Sequence, residues 1–124
     1  MAILRRYDQA IHAYEKALSL KPKSAEAWSG YGNVLCELKR YEEAAARFRN
    51  ALSFKPELAS AWIGQGIVLC HQHQYLEALS SYERALSNDP NSAEAWIGHA
   101  NVFTELGRRD EALAALNKAF SLNP

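Results

Sequence analysis

Three tryptophans recur at an interval of 34 residues: Trp28, Trp62 and Trp96. Each closes a near-copy of one segment, Ala25-Glu26-Ala27-Trp28, Ala59-Ser60-Ala61-Trp62 and Ala93-Glu94-Ala95-Trp96. A fixed period of this length marks a stack of supersecondary units, each burying its apolar face on its neighbours, and not a closed globule around one core.

With Ala25, Ala59 and Ala93 as position 1 of the frame, position 8 is Gly32, Gly66 and Ala100, and position 20 is Ala44, Ala78 and Ala112. Position 24 is Phe48, Tyr82 and Leu116, position 27 is Ala51, Ala85 and Ala119, and position 32 is Pro56, Pro90 and Pro124. Small residues at positions 8 and 20 let two helices approach closely. Large ones such as Trp28, Leu35 and Phe48 fill the space beside that contact. Proline cannot continue a helix and ends one.

The spacing of Ala44, Phe48, Ala51 and Leu52 follows an amphipathic helical stripe. The sequence therefore predicts an all-α fold, with first helices over 25–38, 59–72 and 93–106 and second helices over 41–54, 75–88 and 109–122. Ser24 and Asn91/Ser92 suit N-caps. Gly107 suits a left-handed turn between helices, and Lys39 and His73 hold that place in the other units at some conformational cost. Tyr7, Ala10, Tyr14, Ala17 and Pro22 keep the frame before residue 25. The expected organisation is a partial repeat over 1–24, of whose first helix only Met1 to Leu4 are left, then full repeats over 25–58, 59–92 and 93–124. It reads as a fragment of a longer array.

This pattern resembles the tetratricopeptide repeat family, whose motif runs W-x2-L-G-x2-Y, then A-x3-F, then A and P. Trp28-x2-Tyr31-Gly32-x2-Leu35, Ala44-x3-Phe48 and Pro56 carry it once. Trp62-x2-Gln65-Gly66-x2-Leu69, Ala78-x3-Tyr82 and Pro90 carry it again, and Trp96-x2-His99-Ala100-x2-Phe103, Ala112-x3-Leu116 and Pro124 a third time. Gln65, His99 and Ala100 depart from the motif. The resemblance implies an α-α superhelix, or solenoid, of antiparallel helix pairs, and a scaffold that holds a protein or peptide partner in its concave groove. The groove positions it implies are Glu26, Asn33, Cys36 and Glu37 in the first unit, with Ser29 beside them. In the second they are Ile63, Ile67, Cys70 and His71, with Ser60, and in the third Ile97, Asn101 and Glu105, with Glu94 and Thr104.

Chaperone-binding members of the family share a Lys, Asn and Arg clamp for a C-terminal carboxylate. Asn33 and Asn101 fall at one clamp-like position, but Ser29, Ile63 and Ile97 stand where cations would be needed for bidentate charge recognition. The expected groove instead has an apolar centre of Ile63, Ile67 and Ile97 with acidic edges at Glu26, Glu37, Glu94 and Glu105. Such a floor suits a segment with apolar anchors and basic flanks.

The 124-residue chain carries 14 basic and 14 acidic residues. That balance argues against a nucleic-acid footprint. Residues 1–55 hold ten basic and six acidic residues, net +4, and residues 56–124 hold four and eight, net −4. Together with apolar end faces at Tyr14, Ala17, Leu113, Leu116 and Phe120, this split supports an alternative reading, a self-assembling structural module that forms homo-oligomers. No apolar run approaches the ~18 residues of a membrane span, and the first seven residues carry no signal-peptide pattern. Cys36 and Cys70 lie 34 residues apart, about 10 Å if adjacent helices carry them. That is too far for a disulfide, so free thiols and a cytoplasmic location are expected. Cys70-His71-Gln72-His73 lacks the four settled ligands of a structural zinc site, and His99 falls at a core position. No nucleophile–base set and no phosphate or dinucleotide fingerprint is present. Neither catalysis nor a cofactor is expected.

Overall fold

The computed structural model describes residues 2–122, with side chains from residue 6 onward; Met1 and Pro124 lie outside the described residues. It contains seven helices: α1 (Ala2–Leu20), α2 (Ala25–Glu37), α3 (Tyr41–Phe54), α4 (Ala59–His71), α5 (Tyr75–Asn88), α6 (Ala93–Glu105) and α7 (Arg109–Leu122). Helices α2 and α3, α4 and α5, and α6 and α7 form antiparallel pairs. Consecutive pairs stack through α3 on α4 and α5 on α6. The inner helices α2, α4 and α6 also touch one another, whereas the outer helices α3, α5 and α7 make no contact among themselves. A stack that is closer on one side curves toward that side, so the inner helices line the concave face.

The turns within pairs use the left-handed conformation at Lys39 (φ 62°), His73 (φ 60°) and Gly107 (φ 77°). Ser24 and Ser92 cap α2 and α6 by accepting from Ala27 N and Ala95 N at 3.3 and 3.2 Å. Leu58 stands at the same place before α4 and offers no side-chain cap. Each tryptophan indole donates to a proline carbonyl six residues earlier: Trp28 to Pro22 and Trp62 to Pro56 at 2.8 Å, and Trp96 to Pro90 at 2.9 Å. The proline turn and the helix after it are thereby fixed to each other at every junction.

Two differences from the sequence expectation concern the first helix. Residues 2–4 continue α1 without a break and are not the remnant of a separate first helix. Tyr14, expected to lie open, packs its ring onto Gly30 of α2 and stacks on Tyr31 with centroids 6.4 Å apart. Ala17 is exposed as expected.

The aromatic rings at position 24 set how close successive pairs come. Phe48 is fully buried, with Gly32 of its own pair on one side and Gly64 of the next pair on the other. Tyr82 sits in the same way between Gly66 and Gly98. A Cβ at any of these glycines would overlap the ring. We therefore expect Gly64→Ala to destabilise the chain by up to about 2 kcal/mol in urea titration. Overpacking costs about 1–3 kcal/mol, the upper part of that range where a Cβ would meet the buried Phe48 ring, and is offset by the roughly 1 kcal/mol that alanine gains over glycine as a helix former.

Candidate functional site: the concave groove

The inner helices bring most of the anticipated groove residues together. Asn33, Cys36 and Glu37 of α2 share a 540 Å³ cavity with Lys39, Tyr41, Ile67, His71 and Glu94. Ile67, Cys70 and His71 of α4 share an adjoining 360 Å³ cavity with Tyr75, Tyr82, Asn101, Thr104 and Glu105. Ile67 and His71 line both, so the two cavities form one trough running across α2, α4 and α6.

Ile63 and Ile97 do not belong to that trough. Ile63 is 7% exposed and packs in the core with Tyr82, Leu86 and Ala95. The physical reason lies in the frame. Position 5 of one pair is covered by the first helix of the next, as the Ser29 hydroxyl, also buried, shows by its 3.2 Å hydrogen bond with the Ser60 hydroxyl. Ile97 holds the same position, and among the described residues no further helix packs on it. It is 46% exposed and lines a 180 Å³ apolar pocket with Ala93, Leu116, Ala119 and Phe120 at the end of the stack. The apolar centre of the groove thus contracts from three isoleucines to Ile67.

Glu26, read as an acidic edge, is engaged by Lys55 at 3.0 Å, and the lysine's hydrogen bond holds its carboxyl below the usual value. Among the described residues Glu37, Glu94 and Glu105 take part in no ion pair. Both thiols are free and half-buried. Burial first and Glu37 second push Cys36 up to about 11, and burial with Glu105 raises Cys70 in the same direction. Neutral thiols line the groove as small apolar groups and are poor nucleophiles. No group of three His, Cys, Asp or Glu side chains among the described residues converges as a metal would require.

Tyrosines at the groove edge were missed in the sequence. Tyr7, Tyr41 and Tyr75 recur at the 34-residue period, and that period was the available signal. Tyr7 lies in α1, Tyr41 and Tyr75 start α3 and α5, and each reaches the last turn of the next inner helix. The Tyr7 hydroxyl donates to Glu37 Oε2 at 3.5 Å. The Tyr41 ring stacks on His71, with centroids 4.3 Å apart and planes 15° from parallel. Tyr75 lines the same cavity as Glu105, and desolvation followed by that carboxylate raises its pKa.

His99 stands outside the groove, edge-on to Trp96 and Phe103 with centroids 5.9 and 4.6 Å away. Neither ring nitrogen has a hydrogen-bond partner, and burial lowers its pKa below the usual 6.5. The unfolded chain therefore binds this proton more tightly than the folded one, and stability is full above about pH 6.5 and lost as pH falls below it. Relative to the native chain, His99→Leu should show a constant difference in urea midpoints above about pH 7 and gain stability as pH falls from about pH 6.5 to about pH 5. A difference independent of pH contradicts this.

The position-5 pair separates core from surface in one experiment. We expect Ile63→Asp to lose about 3–5 kcal/mol, as an unpaired charge in the core does, while Ile97→Asp loses under about 1 kcal/mol by chemical denaturation.

Two tetratricopeptide repeat family models match the chain, one over residues 4–59 and the other over residues 57–123. Among solved structures, a crystal structure of MamA superposes with a TM-score of 0.81 at 24% identity, covering 94% of this chain and 68% of that one. MamA 41-end from Desulfovibrio magneticus RS-1 gives 0.81 at 21% identity, covering 98% and 68%. At these identities the likeness establishes the fold. No curated protein matches the sequence.

Proposed function

The chain belongs to the tetratricopeptide repeat family, whose members are protein-interaction scaffolds, and we propose that its concave trough holds a peptide or partner segment. The observation that carries this reading is the sharing of Ile67 and His71 between two adjoining cavities. It makes one continuous surface across three helices, with a single apolar anchor point near its middle. A segment lying there would place an apolar side chain against Ile67 and face the side-chain amides of Asn33 and Asn101, both exposed. Such arrays bind extended or helical segments through spaced pockets. With Ile63 removed from the groove, the apolar contribution is smaller than the sequence suggested, and polar and charged contacts carry more of the recognition. The chain is a binding module in this reading and performs no chemistry. No described helix is long and apolar enough to cross a membrane.

A random-peptide display selection tests it, run on the native chain, on Ile67→Asp and on Asn101→Trp, each first shown to be folded by circular dichroism. Ile67 is half-buried and packs on the core; Asn101 is exposed, so the tryptophan fills the trough without touching the core. The expected result is a consensus containing an apolar residue, enriched on the native chain and lost on both variants. Enrichment that survives both substitutions places binding elsewhere.

One observation favours a second reading. Leu113 and Phe120 are 59% and 67% exposed beside the Ile97 pocket, on the face that is covered at every internal junction. An open apolar face of this kind tends to find a partner. Homo-oligomerisation through it, with the exposed Ala17 at the other end of the stack, is the alternative. Light scattering across a concentration series decides it: growth in mass that Phe120→Lys abolishes supports assembly, and a constant monomer mass rejects it.

A further inference from the structure

The edge of the trough repeats one contact with one variation. A tyrosine from each of α1, α3 and α5 meets the last turn of the next inner helix: Tyr7 with Glu37, Tyr41 with His71, and Tyr75 beside Glu105. The outer two positions present a carboxylate and the middle one an imidazole stacked on a phenol. Glu37 and Glu94 share a cavity with the Tyr41–His71 ring pair, and Lys39 is the one basic residue other than His71 lining it, so two carboxylates face one ammonium there. Glu105 shares its cavity with Tyr75 and no basic residue other than His71. The three acids have no ion-pair partner within the described chain.

From this arrangement we propose that the trough is built for a segment bearing two cationic side chains, arginines in preference to lysines, seated on either side of an apolar residue at Ile67. The inference rests on the groove reading above and adds the chemistry of the occupant. A guanidinium suits each place because it pairs with a carboxylate through two parallel hydrogen bonds and lies flat on an aromatic ring. A carboxylate and aromatic rings lining one cavity supply both features at Glu37 with Tyr41 and His71, and again at Glu105 with Tyr75. An ammonium gains the charge but not the planar fit. The spacing follows from the stack. Neighbouring inner helices lie about 10 Å apart, so Glu37 on α2 and Glu105 on α6 are separated by about 20 Å. An extended chain advances about 3.3–3.6 Å per residue. The two arginines are therefore about six residues apart, with the apolar residue midway. His71, between the two acidic places, has no carboxylate to offer, and the middle of the segment needs no charge there.

The test uses a fluorescein-labelled peptide of sequence Gly-Arg-Ser-Ser-Leu-Ser-Ser-Arg-Gly, with binding read by anisotropy on the intact chain. The control is a peptide of the same composition with its two arginines adjacent at one end. We expect saturable binding of the spaced peptide, weaker binding of the control, and about a tenfold rise in Kd for each of Glu37→Gln and Glu105→Gln, the scale of one lost charged hydrogen-bond pair. The affinity should also fall as salt is raised. Asn101→Trp should abolish binding without changing the charge. Failure to bind, or equal binding of spaced and adjacent arginines, overturns the proposal. If Asn101→Trp abolishes binding while both glutamine variants bind as the native chain does, the groove reading stands and the cation inference is wrong. If none of the three substitutions changes Kd, the peptide lies outside the groove and both readings fall.

Discussion

The structure depends on a ring held between two glycines. Phe48 has Gly32 of its own helix pair on one side and Gly64 of the next pair on the other, and Tyr82 repeats the arrangement with Gly66 and Gly98. The absent Cβ atoms let the backbones of two inner helices close on the same side chain, so one residue closes a pair and also joins it to the next. Interiors packed to this density do not deform continuously. The spacing of the inner helices, and with it the width of the trough, is set by these rings. At the last pair the device lapses, with Ala100 and Leu116 in place of glycine and ring, and there the structure presents an open apolar face.

The tryptophans that made the repeat visible act in a second way. Each indole buries part of its ring and spends its only donor on the proline carbonyl six residues back. The bond ties the half-buried indole ring to the carbonyl of a helix-ending proline turn. The angle between one pair and the next is fixed where the chain is otherwise least regular. The turns inside the pairs rest on a different support: Lys39 and His73 keep the left-handed conformation that their side chains disfavour where the two helices of a pair pack along their length.

Much of this was legible in the sequence, because each repeat acts as a replicate of the others. Helix limits, the Ser24 and Ser92 caps and the three left-handed turns all follow from the 34-residue frame. The groove was less legible, for a reason the frame also contains. Ser29, Ile63 and Ile97 share one position, but its exposure depends on whether another helix lies above it. Ile63 is core and Ile97 is end surface although their local sequences match. A repeat motif describes a unit, whereas burial depends on the unit's neighbours. Tyr7, Tyr41 and Tyr75 were overlooked for the converse reason: each lies in one repeat and makes its contact in the next.

The central claim is that the concave face of α2, α4 and α6, and not the end of the stack or the outer helices, is the surface that meets a partner. Amide hydrogen exchange of the chain, with and without a peptide selected for binding, measures this across all seven helices at once. The account expects added protection in the second halves of α2 and α4 and across α6 from Asn101 to Glu105, with the exchange of α7 unchanged. Protection concentrated on α7 and around Ile97, with the groove helices unaffected, would contradict it.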